Sequence, residues 1–325
     1  MPEPDLFEAY DDLSDIAVRL QVADAATRRV AVIELGDSGD PSAVDYLAPL
    51  VSDPDAGVRA QVALALGEFD GLAAARALAR LLIDPDEAVA AAAADSLAEL
   101  KDPVSADAIL PLVGHESAFV RAAALRGLKE LRHREALKPA LDALRDVDAG
   151  VRVQAIGVIG FLKIEEAVPA LTAAAADPDA QVRRIAVSSL AFSNLKAAAD
   201  SITRALSDKD WLVRETAAET LGVMKNGVVA ASALEGALAD DFWHVRLKAV
   251  RSLGQIKAKE AVVAIAASLA HEQANLRKEA AAALGEIGDP AALPDLHSAL
   301  NDPDPDVRKN VRWAIQRISP EQPIE

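Results

Sequence analysis

The chain has 325 residues, of which 51% are hydrophobic, 3% are aromatic and none is cysteine, and its formal net charge is −17. The lack of cysteine excludes disulfides, thiolate metal ligands and a cysteine nucleophile. An acidic surface repels phosphate, so nucleic acid is an unfavourable partner. No apolar run approaches the ~18 uncharged residues of a membrane span. Since the first residues also lack the basic region of a signal peptide, we expect a cytoplasmic protein without membrane insertion.

The first predicted element is an amphipathic helix over residues 5–21, in which apolar side chains recur at helical spacing. Its apolar residues are Leu6, Phe7, Tyr10, Leu13, Ile16, Ala17 and Leu20. Residues 1–70 hold 15 acidic against 4 basic residues, so the negative charge is concentrated at this end. Because a first helix has no neighbour before it, we interpret the acidity as the solvated outer face of a cap repeat over residues 1–38. An acidic docking surface is the alternative.

A pattern of about 31 residues then recurs along the chain, and the dipeptide Val58-Arg59 marks it most clearly. Its copies are Val120-Arg121, Val151-Arg152, Val182-Arg183, Val213-Arg214, Val245-Arg246, Leu276-Arg277 and Val307-Arg308, with the degenerate Thr27-Arg28 and Val89-Ala90. The second residues of these pairs are 31 apart at every step but one, where the gap is 32. Ten copies at a fixed period predict repeats stacked into a solenoid. The alanine-rich, aromatic-poor composition favours helices over sheets.

Each repeat is predicted to hold two helices, of which the second contains the Val-Arg pair. First helices are predicted over runs such as residues 43–50, 72–82 and 262–269. In nine second helices the first residue of the pair and the fourth and eighth residues after it are apolar, as in Val58, Val62 and Leu66, which predicts one buried stripe. Glycines follow the stripe where the C-terminus of a helix favours positive φ. These glycines are Gly67, Gly160, Gly222, Gly254 and Gly285.

An Asp-Pro-Asp element joins the two helices of a repeat, and its first residue stands six before the arginine, as Asp53 does before Arg59. Its third residue is predicted to cap the N-terminus of the second helix. These capping residues are Asp55, Asp86, Ser117, Asp148, Asp179, Asp210 and Asp304. Prolines inside several first helices are predicted to kink them. They are Pro49, Pro111, Pro139, Pro169 and Pro294.

The Asp and Arg six residues apart, the Val of the pair and the Leu-Gly ending resemble the HEAT repeat, in particular the short bacterial HEAT-like repeats of phycobilisome lyase subunits. The resemblance implies an all-α, right-handed α-solenoid of about ten helical hairpins in a single array over 1–325. Central repeats would cover 39–288, and a C-terminal cap repeat and tail 289–325.

The resemblance also implies a structural ladder, in which the arginine of one repeat pairs with the aspartate of a neighbour. The ladder residues are Asp53, Arg59, Arg121, Asp146, Arg152, Asp177, Arg183, Asp208, Arg214, Asp240, Arg246, Arg277, Asp302 and Arg308. Three substitutions, Ala90, His115 and His271, interrupt the ladder. Individual exposed ion pairs contribute about 0–1 kcal/mol, whereas a network of them fixes the register of the repeats.

No catalytic constellation or metal site is predicted. The resemblance includes one enzyme, deoxyhypusine hydroxylase, which binds iron through His-Glu pairs, and this chain has His115-Glu116 and His271-Glu272. These pairs stand five repeats apart, and stacked helices are ~8–10 Å apart, so they are predicted to be too distant to share a metal. The alternating carboxylates of residues 302–306 lack the downstream glutamate of a calcium loop. We therefore expect no metal, no cofactor and no enzymatic activity.

The exposed face of the second helices is the predicted partner-binding surface, because solenoids bind along their concave side. Outward positions carry small, mostly apolar groups in the early repeats and basic groups in the last three. The predicted basic strip consists of Arg184, Lys248, Arg251, Lys278, Lys309, Arg312 and Trp313. A solvated face of alternating charge is the alternative.

A second candidate surface is an aromatic edge formed by residues in the first turns of two neighbouring second helices. Its residues are Trp211, Phe242, Trp243 and His244. Equivalent positions in stacked helices are about 10 Å apart, so the two indoles are placed to clamp a linear peptide. Packing of the rings over the adjacent loop is the alternative.

These observations predict a monomeric, non-catalytic scaffold that binds a protein or peptide on the concave face. Two other functions stay open at this point: an accessory subunit of a lyase or maturation enzyme, as the phycobilisome resemblance implies, and a nucleic-acid-binding HEAT protein.

Overall fold

The computed structural model describes residues 13–224 and 231–320, and their regular elements are α-helices joined by 3-10 segments and turns. Helix α1 is Leu13–Val18, so the part of the predicted first helix that holds Leu6, Phe7 and Tyr10 lies outside the described residues. The chain divides into two compact units between Leu162 and Lys163. Within the described residues each unit contains five helical hairpins, and each unit is a short α-solenoid.

Unit 1 alternates short first helices with longer second helices. Its helices are α1 Leu13–Val18, α2 Ala25–Asp37, α3 Ala43–Leu47, α4 Ala56–Leu66, α5 Leu72–Leu81, α6 Glu87–Glu99, α7 Ala106–Ile109, α8 Ala118–Leu131, α9 Leu137–Ala143 and α10 Ala149–Leu162. The even-numbered second helices pack side by side, α2 on α4, α4 on α6, α6 on α8 and α8 on α10.

Unit 2 repeats the same arrangement. Its helices are α11 Val168–Ala174, α12 Ala180–Ser189, α13 Lys196–Ala205, α14 Trp211–Val223, α15 Ala231–Ala237, α16 Trp243–Gln255, α17 Val262–Ala267, α18 Ala274–Ile287, α19 Leu293–Ser298 and α20 Pro305–Ile318. Here α12 packs on α14, α14 on α16, α16 on α18 and α18 on α20.

The predicted stripe of the second helices forms the core of both units. Val58, Val62 and Leu66 of α4 are each 0% exposed, and the equivalent residues of the other eight copies are also buried. Residues four and eight apart fall on one helix face, so a single row of side chains meets the first helix and the neighbouring second helix. Because that row is mostly Ala, Val and Leu, the helices pack closely.

Aspartates begin the second helices at the N-cap position. The side chain of Asp55 accepts from the backbone N–H of Val58 at 2.9 Å, and Asp86, Asp148, Asp179, Asp210 and Asp304 make equivalent bonds. Each bond satisfies a backbone donor that the first turn of a helix leaves unpaired. Ser117 occupies the N-cap position of α8, but its side chain makes no capping hydrogen bond.

The prolines shape the first helices in two different ways. Pro49 and Pro111 lie in 3-10 segments, Ala48–Ser52 and Leu110–Gly114, that follow directly on α3 and α7. A proline removes a backbone donor and clashes with the preceding turn, so the α-helix ends ahead of each of them. Pro139, Pro169 and Pro294 instead lie in the first turn of α9, α11 and α19, where the missing donor costs nothing.

The prediction that the stripe glycines adopt positive φ is wrong. Among the described glycines, φ is positive at Gly39, Gly71 and Gly288, and none of these follows the stripe at the predicted position. A methyl group on Gly254 would meet the Cα of Ala283 at 2.9 Å, and one on Gly285 would meet the Cα of Ala314 at 2.9 Å. Only glycine fits at these two positions, because the next second helix packs directly against the backbone there.

Candidate functional site

Arginine–aspartate rungs join consecutive hairpins at the N-terminal ends of the second helices. Arg59 of α4 donates from Nε and Nη2 to the two carboxylate oxygens of Asp84, at 2.7 and 2.9 Å. Its Nη1 donates to the backbone carbonyl of Asp53 at 2.8 Å. The carboxylate also accepts from the backbone N–H of Asp86 at 2.9 Å. One guanidinium thus fixes its own interhelical loop and the loop of the next hairpin, with bidentate geometry.

The same bidentate arrangement recurs within each of the two units. These rungs are Arg28–Asp53, Arg121–Asp146, Arg183–Asp208, Arg214–Asp240 and Arg277–Asp302. Arg28 and Asp84 belong to the ladder although sequence reasoning did not include them. Their signal was the spacing: a rung arginine stands 25 or 26 residues before its aspartate, which places Arg28 opposite Asp53 and Arg59 opposite Asp84.

Three other predicted ladder residues contact their own interhelical loops in the same way as the rung residues do. Arg152 donates Nη1 to the carbonyl of Asp146 at 2.8 Å, and Asp177 accepts from the N–H of Asp179 at 2.9 Å. Arg308, in the last helix, donates Nη1 to the carbonyls of Asp302 and Pro303. These contacts tie each residue to its own interhelical loop.

The rungs lower the pKa of their carboxyl groups. Hydrogen bonds from Arg59 lower the pKa of Asp84 most, and they outweigh the opposing effect of burial. At Asp208 burial is the largest single effect and raises the pKa. The hydrogen bonds from Arg183 and from the Asp210 N–H together outweigh burial, so the pKa is lowered overall. Both carboxylates are therefore held in the ionised form that accepts from the guanidinium.

His271 replaces the aspartate of one rung and leaves it incompletely bonded. The N–H of Gln273 donates to Nδ1 of His271 at 3.0 Å, so a neutral ring carries its proton on Nε2. That Nε2 lies 2.9 Å from Nη2 of Arg246, and two donors face each other. Nε of Arg246 is buried without a hydrogen-bond partner among the described residues. Burial and the charge of Arg246 lower the pKa of His271, which keeps the ring neutral.

Ala90 and His115 replace both members of another rung, and a cavity lies there. Its volume is about 530 Å³, and it lies between the N-terminal ends of α6 and α8. Ile83 and Phe119, 50% and 48% exposed, are among its lining residues. The N–H of Ser117 donates to Nδ1 of His115 at 3.1 Å, so this ring repeats the orientation of His271.

Part of the predicted basic strip is neutralised by carboxylates on neighbouring second helices. Lys248 lies 2.6 Å from Glu219, and Arg251 donates twice to Glu279, both at 2.8 Å. Lys278 contacts Asn275 at 3.4 Å. The charge at this end of the strip is therefore alternating.

The basic strip is more exposed to solvent on α20 than on α12. Lys309, Arg312 and Trp313 are exposed, and the guanidinium of Arg317 lies 5.5 Å from the ring centre of Trp313. Nε of Arg184 is buried without a hydrogen-bond partner in the described part of the chain. Of the predicted strip, α20 thus presents the free cationic and aromatic surface.

The four residues of the aromatic edge contact one another. Trp211 stacks on Phe242 with ring centres 5.3 Å apart and an interplanar angle of 6°. His244 lies 5.2 Å from Trp211 and 3.9 Å from Trp243, between ring centres. The imidazole is therefore in ring contact with both indoles. Phe242 is 43% exposed and has Arg214 5.6 Å from its ring centre.

A groove of about 590 Å³ crosses the C-terminal halves of α4, α6 and α8 in unit 1. Leu64, which is 50% exposed, lies at one end of it. Charged side chains of both signs line most of the rest, and among them Arg126 is paired with Asp95 and Lys129 lies 3.3 Å from Glu130. Sequence reasoning placed a small apolar face here and did not predict the groove.

Residues 13–224 and 231–320 contain no group of three or more His, Asp or Glu side chains placed to hold a metal ion. Within these ranges no helix combines the length and apolar character that a bilayer span requires.

Paired helices, a repeated buried stripe and rungs between consecutive hairpins define an all-α repeat protein of the solenoid class. The model of the HEAT-repeat family matches residues 11–98, 76–160, 106–191, 168–244 and 231–316, and together these ranges span most of the chain. The protein belongs to the HEAT-repeat family, as the ladder residues and the period predicted. A comparison with curated proteins found no match.

Three solved structures show the same fold. An engineered protein is 20% identical, with 95% of this chain and 99% of that chain covered and a TM-score of 0.51. YibA of Escherichia coli is 20% identical over 74% of this chain and 90% of its own, with a TM-score of 0.59. Kap95p, whose binding induces the switch loops of RanGDP to adopt the GTP-bound conformation, is 14% identical over 94% of this chain and 50% of its own, with a TM-score of 0.63. At these identities the likeness concerns the fold alone.

Proposed function

We propose that the protein is a non-catalytic scaffold that binds a protein or peptide along the exposed faces of its second helices. The groove across α4, α6 and α8 carries this proposal. Its volume of about 590 Å³ lies within the range of about 300–1,000 Å³ that is usual for binding clefts. Since it crosses three consecutive helices, its length suits an extended chain better than a compact small molecule.

The chemistry of the groove favours a peptide with one apolar side chain beside charged ones. Half-exposed Leu64 offers an apolar contact, while Glu99 and Lys129 present charges of opposite sign. The rung aspartates, capping aspartates and stripe residues are already bonded or buried, so they support the fold. The residues that differ between repeats are those that face the groove, and these are the ones available to select a partner.

The exposed cluster on α20 is proposed as a second contact region of the same partner class. Lys309 and Arg312 are exposed beside Trp313, and aromatic and arginine side chains are the residues that contribute most at interfaces. The carboxylate partners of Lys248 and Arg251 reduce the positive charge that a phosphate backbone would need, so the proposal favours protein over nucleic acid.

Site-specific photo-crosslinking tests the proposal. A benzophenone amino acid is placed at Leu64, and the matched control is placed at Val147, which is 95% exposed and outside the groove. The identified partner is then prepared and titrated against wild type, Leu64→Glu and the double variant Lys309→Glu, Arg312→Glu. We expect an adduct at position 64 alone and at least tenfold weaker binding by Leu64→Glu with unchanged circular dichroism. Equal crosslinking at both positions, or unchanged affinity in both variants, contradicts the proposal.

A further inference from the structure

The cavity at Ala90 stands where every intact rung has a guanidinium. In those rungs Nη1 of the arginine donates to the carbonyls six and five residues before it, as Arg183 does to Asp177 and Pro178 at 2.9 and 3.0 Å. The residues at the same offsets from Ala90 are Asp84 and Pro85. The methyl group of alanine supplies no donor to their carbonyl oxygens.

The walls of the cavity suit the rest of an arginine side chain. Ile83 and Phe119 are about half exposed and offer apolar surface to an aliphatic stem. The face of a phenylalanine ring also attracts a guanidinium cation. Ala90 and Ala91 leave room beside them because neither side chain extends beyond Cβ.

The electrostatic surroundings favour a cation over an anion. Glu87 is exposed in the first turn of α6 and lines the cavity. Residues 1–162 contain 28 Asp and Glu against 15 Lys and Arg, a net charge of −13 within the total of −17. An anionic group would be repelled by this field, whereas a guanidinium would gain from it.

We propose that this cavity, hereafter the Ala90 socket, binds the guanidinium group of an arginine side chain supplied by a partner peptide. The incoming group takes the place of the missing internal arginine, with its donors on the carbonyls of Asp84 and Pro85 and its stem against Ile83 and Phe119. The inference deepens the proposed function by naming one side chain of the partner. The socket lies at the N-terminal ends of α6 and α8, whereas the groove crosses their C-terminal halves.

His115 sets the expected strength of binding. Its Nδ1 accepts from Ser117, so the neutral ring presents an Nε2–H donor where an intact rung presents two carboxylate oxygens. A donor facing a guanidinium gives no hydrogen bond, which predicts weak binding in the wild type. His115→Asp supplies the carboxylate while Ala90 keeps the socket open, so this variant is expected to bind arginine more tightly.

NMR titration of the deuterated, 15N-labelled full chain with N-acetyl-arginine methylamide tests the socket. The amides of Ala91, Ser117 and Phe119 report binding, and the lysine and citrulline analogues are the comparison probes. We expect a millimolar dissociation constant for wild type, at least tenfold tighter binding by His115→Asp, and weaker binding of both analogues. His271→Asp is the matched control: it creates the same carboxylate where Arg246 already fills the rung, so it gains no affinity.

The second half of the test places an arginine of the protein itself at position 90. The double variant Ala90→Arg, His115→Asp should form an intact rung and lose binding of the arginine probe. The proposal is overturned if His115→Asp binds no more tightly than wild type, if the double variant still binds, or if citrulline binds as well as arginine. The probe is a free amino-acid derivative, so failure here leaves the crosslinking result at Leu64 unaffected, and the two proposals fail separately.

Discussion

Arg183 of α12 binds both carboxylate oxygens of Asp208 in the next hairpin, at 2.7 and 2.8 Å, with side chains only 6% and 12% exposed. The same guanidinium donates to the carbonyl of Asp177 in its own loop at 2.9 Å. The carboxylate in turn accepts from the N–H of Asp210 at 2.9 Å. A rung is therefore a four-group network, and the loss of one member leaves buried donors unpaired.

Asp208→Asn is expected to destabilise the protein by about 1–3 kcal/mol. The amide oxygen can still accept from the N–H of Asp210 and from Nη2 of Arg183, but the NH2 group then faces the Nε donor of Arg183. The matched control is Asp200→Asn, which removes the carboxylate of the exposed Lys196–Asp200 pair within α13 and is expected to cost about 0.5 kcal/mol or less. Urea unfolding followed by circular dichroism measures both. Equal effects of the two substitutions would show that the rung adds no more than a surface pair.

The rungs also predict a loss of stability in acid. The pKa of Asp208 is lowered in the folded state, because hydrogen bonds from Arg183 and Asp210 outweigh burial, which raises it. The unfolded chain therefore takes up the proton first, at about pH 3.9. The stabilisation is fully present above that pH and is lost as pH falls through the lower folded pKa. We expect the urea midpoint to fall as pH drops below about 4, and less steeply for Asp208→Asn; an unchanged slope in the variant contradicts the assignment.

The period and stripe could be predicted from sequence because each depends on residues close together along one chain segment. Val58, Val62 and Leu66 must share a helix face whatever the neighbours are. The charge of the basic strip, in contrast, depends on contacts between repeats. Glu219 pairs with Lys248, 29 residues away, and Arg251 pairs with Glu279, 28 residues away. The sequence periodicity predicts which positions of a helix face outward. Which carboxylate lies beside them depends on how adjacent helices pack, and the periodicity does not give that.

The glycines show a second limit of the same kind. A glycine near the end of a helix has the same sequence context whether it allows positive φ or close packing. Gly67 ends α4 with φ −67°, whereas positive φ occurs after other helices both at a glycine, Gly288, and at the non-glycine residues Arg132, Lys163 and Lys257. Which role applies is decided by the distance to the next helix, and one repeat by itself does not contain that distance.

His271→Asp is expected to stabilise the protein by about 1 kcal/mol at pH 7.5. The carboxylate can accept from Nε and Nη2 of Arg246 and from the N–H of Gln273, so it completes the rung. His115→Asp is the control, because Ala90 offers no guanidinium and no such gain is expected in the absence of ligand. A urea midpoint of His271→Asp at or below that of wild type would contradict the argument.

His271 should also make the wild type sensitive to mild acid. Burial and Arg246 lower the pKa of its ring in the folded state, so the unfolded chain binds the proton first, near pH 6.5. Stability is then lost as pH falls from about 6.5 through the lower folded pKa. We expect wild type to lose more stability between pH 7.5 and 5.5 than His271→Asp does, as urea midpoints at the two pH values will show. An equal loss in both proteins would exclude this role for His271.

Gly222→Ala is expected to destabilise unit 2, whereas Gly236→Ala should not. A methyl group on Gly222 would overlap Oγ of Ser252 and lie 2.7 Å from its Cβ, and Ser252 is held in place because its hydroxyl donates to the carbonyl of Ala218 at 2.7 Å. Relief requires α14 and α16 to move apart, at a cost of about 1–3 kcal/mol.

Gly236 is the matched control, since it lies in helix α15 and, among the described residues outside its own helix backbone, no atom lies within 4 Å of an added Cβ. Alanine there should stabilise the protein by about 0.5–1 kcal/mol, the usual gain within a helix. Thermal and urea unfolding of the two variants measure the difference. If both substitutions stabilise the protein, helix propensity alone governs these positions and close packing at Gly222 is not the reason for its glycine.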